Sequence, residues 1–132
     1  MQLLLDTNIC IYIIKHKPEN VLQQFSKYQP TDIAISTITV YELMYGVYKS
    51  QQVEKNLVAL SNFLKPLELL DFTSDDAQVC GAIRAQLEKQ GKMIGPLDIQ
   101  IAAQALSRDL LLVSNNTKEF ERIADLKLEN WV

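Results

Sequence analysis

The sequence predicts an α/β fold in which a parallel sheet is covered by helices on both faces, and three observations lead there. Short aliphatic runs, at Leu3–Leu5, Ile33–Ser36 and Leu110–Val113, stop abruptly at polar residues, as strands buried on both faces do. Longer stretches with helical spacing alternate with them, the pattern of strand–helix–strand units. No linker, internal repeat or low-complexity segment interrupts the 132 residues, so one domain spanning 1–132 is expected.

Leu3–Leu5 is read as a central strand with Asp6 at its carboxyl end. Asp6-Thr7-Asn8 offers N-capping side chains to a helix that starts near Asn8. Lys17-Pro18-Glu19-Asn20 breaks it, a second helical stretch covers Val21 to Tyr28, and Ile33–Ser36 is a second strand. A third helix is expected from Thr37, capped by Thr37 or Thr39, with Val40, Leu43, Met44 and Val47 as its stripe. A fourth runs from Gln51 to Leu64 and ends before Pro66; Leu67–Phe72 reads as a third strand. Thr73-Ser74-Asp75-Asp76 starts a helix over Ala77–Gln90 that Gly91 stops. The next opens at Gly95-Pro96-Leu97-Asp98, with Pro96 near its first position, and reaches about Ser107. Leu110–Val113 is a fourth strand, Lys118–Ile123 a helical turn, and Leu126–Trp131 an edge strand.

Composition narrows the chemistry. Hydrophobic residues at 48% and charged residues at 22% describe an ordinary globular chain. No apolar run approaches the ~18–20 residues that span a bilayer and no secretory pattern opens the sequence, so a cytoplasmic protein without membrane contact is expected. Cys10 and Cys80 sit in apolar helical stretches with no paired motif, which fits reduced thiols. His16 is the only histidine, so a histidine-based metal site or a Ser-His-Asp triad is excluded. The net charge of −3 argues against broad binding to nucleic acid, while leaving room for a local basic rim.

The acids carry the functional reading. In an open α/β sheet, chemistry gathers at the carboxyl ends of the strands, where Asp6 stands. Taken singly, Asp6 also fits a plain N-cap. Glu42 is the one charged residue between Asp32 and Lys49, on a helix apolar nearly all round, on the side of Thr39, Tyr45 and Gly46; it marks either a cleft or a wet face. Asp98 lies in the first turn of a helix otherwise uncharged from Gly95 to Ser107, where the macrodipole alone favours a carboxylate. Asn116 and Glu119 follow the fourth strand as Asp6 follows the first, in a stretch that is equally good turn chemistry. Together these groups would collect oxygen ligands at one sheet end, where like charges need a cation. Carboxylates without His or Cys select a hard ion, Mg2+ or Mn2+, and such a site suits phosphodiester hydrolysis.

Leu5-Asp6-Thr7-Asn8, Tyr41-Glu42-Leu43 with Gly46, Gly95-Pro96-Leu97-Asp98, and Ser114-Asn115-Asn116 through Glu119-Phe120, in that order, resemble the PIN-domain family. Over essentially its full length the chain is similar to the VapC toxin ribonucleases of bacterial type II toxin–antitoxin pairs. The resemblance implies a three-layer α/β/α fold with a parallel sheet of roughly five strands, a homodimer, and a metal-dependent endoribonuclease, often acting on a tRNA anticodon loop and in the most similar subset on initiator tRNA. It implies a VapB-type antitoxin that blocks the cleft and recruits the toxin to operator DNA. By position, Asp6, Glu42 and Asp98 match the family's metal-binding acids, with Glu119 as a fourth catalytic acid. Many relatives have Asp where this chain has Asn116, so Glu119 filling the fourth position, Asn116 binding a water, and one ion or two all stay open. Thr7, Asn8, Ser114 and Asn116 are expected to support the site or touch substrate. Lys92, with Lys89, Arg84, Lys15 and Lys118, is a candidate for steering RNA.

Two other readings remain at this stage. A phosphoacceptor receiver domain would want paired acids after the first strand and a lysine after the last core strand; Asp6 stands alone, and Ser114-Asn115-Asn116 follows Val113. A catalytically silent PIN-like module, binding RNA or protein without cleaving, is favoured only by Asn116 in place of an acid.

Overall fold

Three consecutive leucines build the centre of the sheet. In a computed structural model that describes residues 1–132, Leu3–Leu5 forms β1, and all three side chains are buried. Because strand side chains alternate, Leu3 and Leu5 enter one core and Leu4 the other. The same alternation divides Ile33 and Ile35 from Ala34 in β2 (Ile33–Ser36), and Val113 from Leu112 in β4 (Leu111–Val113). Each such fully buried aliphatic contributes about 1.5–3 kcal/mol.

The sheet has five strands in the order β3-β2-β1-β4-β5, every pair parallel, with β3 at Glu68–Leu70 and β5 at Leu128–Glu129. On one face pack α1 (Thr7–Ile14), α2 (Glu19–Phe25), α3 (Thr37–Tyr48) and α4 (Val53–Leu64). On the other pack α5 (Ser74–Gln90), α6 (Pro96–Ser107) and the short α7 (Thr117–Phe120). This is the expected α/β/α arrangement. The chain leaves β1 towards β2 and β3 and returns to its other side for β4, so the order reverses between β1 and β4. A crevice opens at such a reversal, at the carboxyl ends of the strands.

Local chemistry explains where the boundaries moved. Helix α2 starts at Glu19, directly after Pro18, and ends at Phe25, earlier than the periodicity to Tyr28 suggests. The cap of α3 is Ser36, whose hydroxyl accepts from the Ile38 backbone N–H at 3.0 Å; Thr37 and Thr39 are inside the helix. Helix α4 begins at Val53, two residues later than expected, and β5 is a two-residue strand, shorter than Leu126–Trp131. The turn after β4 is helical over Thr117–Phe120, not Lys118–Ile123. Thr73 and Asp76 cap α5 reciprocally, and Gly91 closes it with φ +66°, a left-handed conformation that favours glycine. Cys10 is buried, Cys80 half-buried, and both are free thiols. No helix is long and apolar enough to cross a membrane.

Candidate active site

Asp6 directly follows β1, and its backbone N–H donates to the Val113 carbonyl of the neighbouring β4 at 3.0 Å. Its side chain has two tasks. Oδ1 accepts from the Ile9 N–H at 3.2 Å and caps α1, while Oδ2 accepts a short hydrogen bond from the Ser114 hydroxyl, just past the end of β4. Asp6 is therefore a cap and a site residue at once. Burial raises its carboxyl above the ordinary range; bonds from Ser114 and the Ile9 and Asn8 backbones counter that, and Glu42 adds to it. Beneath it, burial and then the charge of Asp6 push the Cys10 thiol well up, so this cysteine is an inert core residue.

Glu42 reaches the same place from α3. Its Oε1 accepts from the Thr7 hydroxyl at 2.6 Å, and the Thr7 oxygen lies 3.3 Å from the hydroxyl of Thr39, which is fully buried. Asp98 is half-buried in the first turn of α6. Burial first, and then the charges of Asp6, Glu119 and Glu42, push its carboxyl up to about 6. Asp98 thus feels the charges of the other three acids, as a carboxylate that shares their end of the sheet does. Glu119 on α7 is held by Asn116, whose Nδ2 donates to Oε2 at 3.0 Å; the Asn116 backbone N–H donates to the Ser114 oxygen at 2.9 Å. Between them Asn115 donates to the Tyr12 hydroxyl on α1 at 3.0 Å.

No ion pair involves any of these four acids. The three ion pairs, Arg84–Glu88, Arg108–Asp76 and Lys127–Asp109, all lie elsewhere. No three of the acids stand close enough to ligate one ion together, and Ser114, Thr7 and Asn116 each donate to a different carboxylate. The expected direct convergence of Asp6, Glu42 and Asp98 is therefore looser than the sequence suggested.

The supporting residues divide. Thr7, Ser114 and Asn116 bond to site acids; Asn8 is exposed and offers only its backbone N–H to Asp6. Lys92 stands exposed just past the turn at Gly91 and forms no ion pair or side-chain hydrogen bond, and Lys89 and Lys118 are likewise exposed; Arg84 is engaged with Glu88 at 3.3 Å. Lys15 instead lines a groove of about 500 Å³ between α1, α3 and α4, which runs up to Glu42 with Leu43, Val47 and Leu60 on its walls. Sequence reasoning missed the Tyr12–Asn115 bond, which carries no local signal, and treated Thr39 as a cap. A hydroxyl three residues before Glu42 on an apolar helix shares its face, and that spacing was the available sign.

The family model for the PIN domain matches residues 3–126. The chain is 44% identical over 131 residues to the tRNA(fMet)-specific endonuclease VapC of Shigella flexneri, covering 99% of this chain and 98% of that one. It is 47% identical over 132 residues to ribonuclease VapC2 of Haemophilus influenzae, covering 100% and 99%. Among solved structures, a chain of the DNA-bound VapBC from Salmonella typhimurium superposes with a TM-score of 0.94 at 42% identity, over 100% of this chain and 99% of that one. A chain of the Rickettsia felis VapBC2, bound to a DNA fragment from its promoter, gives 0.92 at 41% identity and full coverage of both.

Proposed function

The chain belongs to the PIN-domain family, and from that premise we propose that it is a VapC-like endoribonuclease, the toxin of a type II toxin–antitoxin pair. The observation that carries this reading is that Asp98, half-buried at the start of α6, lies close enough to Asp6, Glu119 and Glu42 for their charges, after burial, to push its carboxyl up to about 6, while none of the four acids is in an ion pair. Such a set is short of positive charge. Its donors are all oxygen, which fits a hard divalent cation, Mg2+ or Mn2+. Mg2+ keeps several of its waters and takes one or two carboxylates, so the loose spacing of these acids suits it. Asp6 and Asp98 would hold the ion; when bound, it supplies charge neutralisation and a more acidic water.

The remaining chemistry belongs to the chain. Ser114 and the Ile9 N–H fix Asp6, so its orientation is set before RNA arrives. Glu42, anchored through one oxygen by Thr7, keeps the other for orienting the attacking water and taking its proton. Glu119, steadied by Asn116, adds charge on the far side of the crevice. In-line attack would break the P–O3′ bond and leave a 5′-phosphate and a 3′-hydroxyl.

The substrate we propose is a tRNA anticodon loop, that of initiator tRNA in particular, since the Shigella relative is named for tRNA(fMet). A VapB-type antitoxin would neutralise the enzyme and link it to operator DNA, as the DNA-bound VapBC assemblies of the relatives suggest. A single domain over 1–132, a homodimer and a cytoplasmic location complete the proposal. End-mapping of the fragments from a tRNA pool incubated with protein and Mg2+ tests it: cuts confined to one anticodon loop support it, and intact tRNA with either Mg2+ or Mn2+ refutes it. The second reading, RNA binding without cleavage, draws on Asn116 standing among the acids and on the absence of a tight three-carboxylate cluster. RNA retained in EDTA but never cut on adding Mn2+ would favour it.

A further inference from the structure

Thr39 has a fully buried hydroxyl in the first turn of α3, and its partner is unusual for a helical threonine. Inside a helix that hydroxyl normally turns back to a carbonyl three or four residues earlier. Here its one side-chain partner is the Thr7 oxygen on α1, at 3.3 Å. A hydroxyl has a single proton and an ionised carboxylate can only accept. The shorter contact takes the Thr7 proton to Glu42, at 2.6 Å, and with that proton committed the Thr7–Thr39 contact at 3.3 Å is a hydrogen bond only with Thr39 as its donor.

We propose that Thr39 is a positioning residue for the reaction: by donating to Thr7 it holds the Thr7 proton on Glu42 Oε1 and leaves Oε2 turned to the crevice. This rests on the reading of Glu42 as the group that handles the attacking water. The geometry asks for such a device. Glu42 lies on α3 and Asp6 caps the start of α1, and the Thr7–Thr39 contact, from the first residue of α1 to the third of α3, stands beside the Thr7–Glu42 bond in tying those two helices together next to both acids. Thr39 is out of reach of RNA, since none of its surface is exposed.

The experiment compares Thr39→Val, which keeps the shape and removes the hydroxyl, with Thr39→Ser, which keeps the hydroxyl. Proton handling contributes about 10²–10⁴-fold to a rate, and a misaimed base forfeits part of it, so Thr39→Val is expected to lower kcat about tenfold with KM unchanged. Thr39→Ser should restore most of kcat. Thr7→Val should cost more, and adding Thr39→Val to it should cost nothing further. A second readout needs no activity: in metal-free protein the side-chain carboxyl carbon of Glu42 should shift in Thr39→Val and return in Thr39→Ser. Wild-type kcat in Thr39→Val, equal loss in the Ser and Val variants, or an undiminished Thr39→Val effect in the Thr7→Val background would each overturn the proposal. Should Thr39→Val not fold, Thr39→Ala against Thr39→Ser makes the same comparison. Full cleavage by Glu42→Gln would sink the role of Glu42 itself, whereas an unmoved Glu42 carbon sinks only that of Thr39.

Discussion

The Ser114 hydroxyl donates to the Asp6 carboxylate across 108 positions of sequence, joining the carboxyl ends of two adjacent parallel strands. The same hydroxyl oxygen accepts from the Asn116 N–H, so the loop that carries Glu119 is pinned to the strand that carries Asp6. The site is built on this join at the reversal of strand order.

Removing it should loosen the Asp6 end of the site. Ser114→Ala leaves a buried carboxylate oxygen without its partner, a loss of about 1–3 kcal/mol in stability. The Ser114 bond also lowers the Asp6 carboxyl, so its removal should raise that group further and weaken divalent-ion affinity, by about 10–100-fold if it behaves as other supports of metal ligands do. Calorimetric titration with Mn2+ and urea unfolding in EDTA check both expectations.

Asp98 sets a pH window. Its carboxyl is raised from the ordinary 3.8 to about 6, so the folded, metal-free protein takes up a proton between those values that the unfolded chain does not. Stability in EDTA should consequently fall as pH rises through that interval. Asp98→Asn should abolish this dependence and be the more stable protein above pH 6, by about 1 kcal/mol after allowing for solvent screening of a half-exposed group. Ion binding has the opposite sign, since the ion needs the ionised form: affinity should weaken as pH drops below about 6. Denaturation curves and Mn2+ titrations at matched pH values, wild type against Asp98→Asn, measure the two slopes.

A second buried acid serves the fold alone. Asp76 has no exposed surface; against the upward push of burial, Arg108 at 2.6 Å, Ser107 and Thr73 hold its carboxyl down at about 2. Its contribution is present above the ordinary carboxylate range and lost as pH falls towards 2. Arg108→Ala strands that charge and should cost about 3 kcal/mol, with kcat on RNA unchanged. A lowered melting temperature with altered cleavage would contradict the separation of this cluster from the site.

Much of the fold was legible because its signals are local. Uninterrupted aliphatics at Leu3–Leu5 and Leu111–Val113, stopped by polar residues, read as strands buried on both faces, and the capping pair Thr73 and Asp76 with Gly91 bounds α5 closely. Boundaries slipped where capping was ambiguous, as at Ser36, which outcompeted two nearby threonines, or where a strand had just one neighbour, as in β5. Asp6, Glu42, Asp98 and Glu119 stand out as lone charges in apolar or turn surroundings, and Asp98 feels the charge of the other three. What could not be read was how far apart they stand. Nor does any spacing in the sequence announce that Thr7, Ser114 and Asn116 take carboxylates as side-chain partners, which is a tertiary outcome.

The central claim is that Asp6 and Asp98 serve one divalent cation and one reaction. The most direct test is Mn2+ titration of wild type, Asp6→Asn and Asp98→Asn in parallel with cleavage of tRNA by each. Both variants should remain folded, lose the Mn2+ site seen in the wild type, and lose cleavage by at least about 100-fold. Full cleavage by either variant, or Mn2+ binding unaltered in both, would contradict the account.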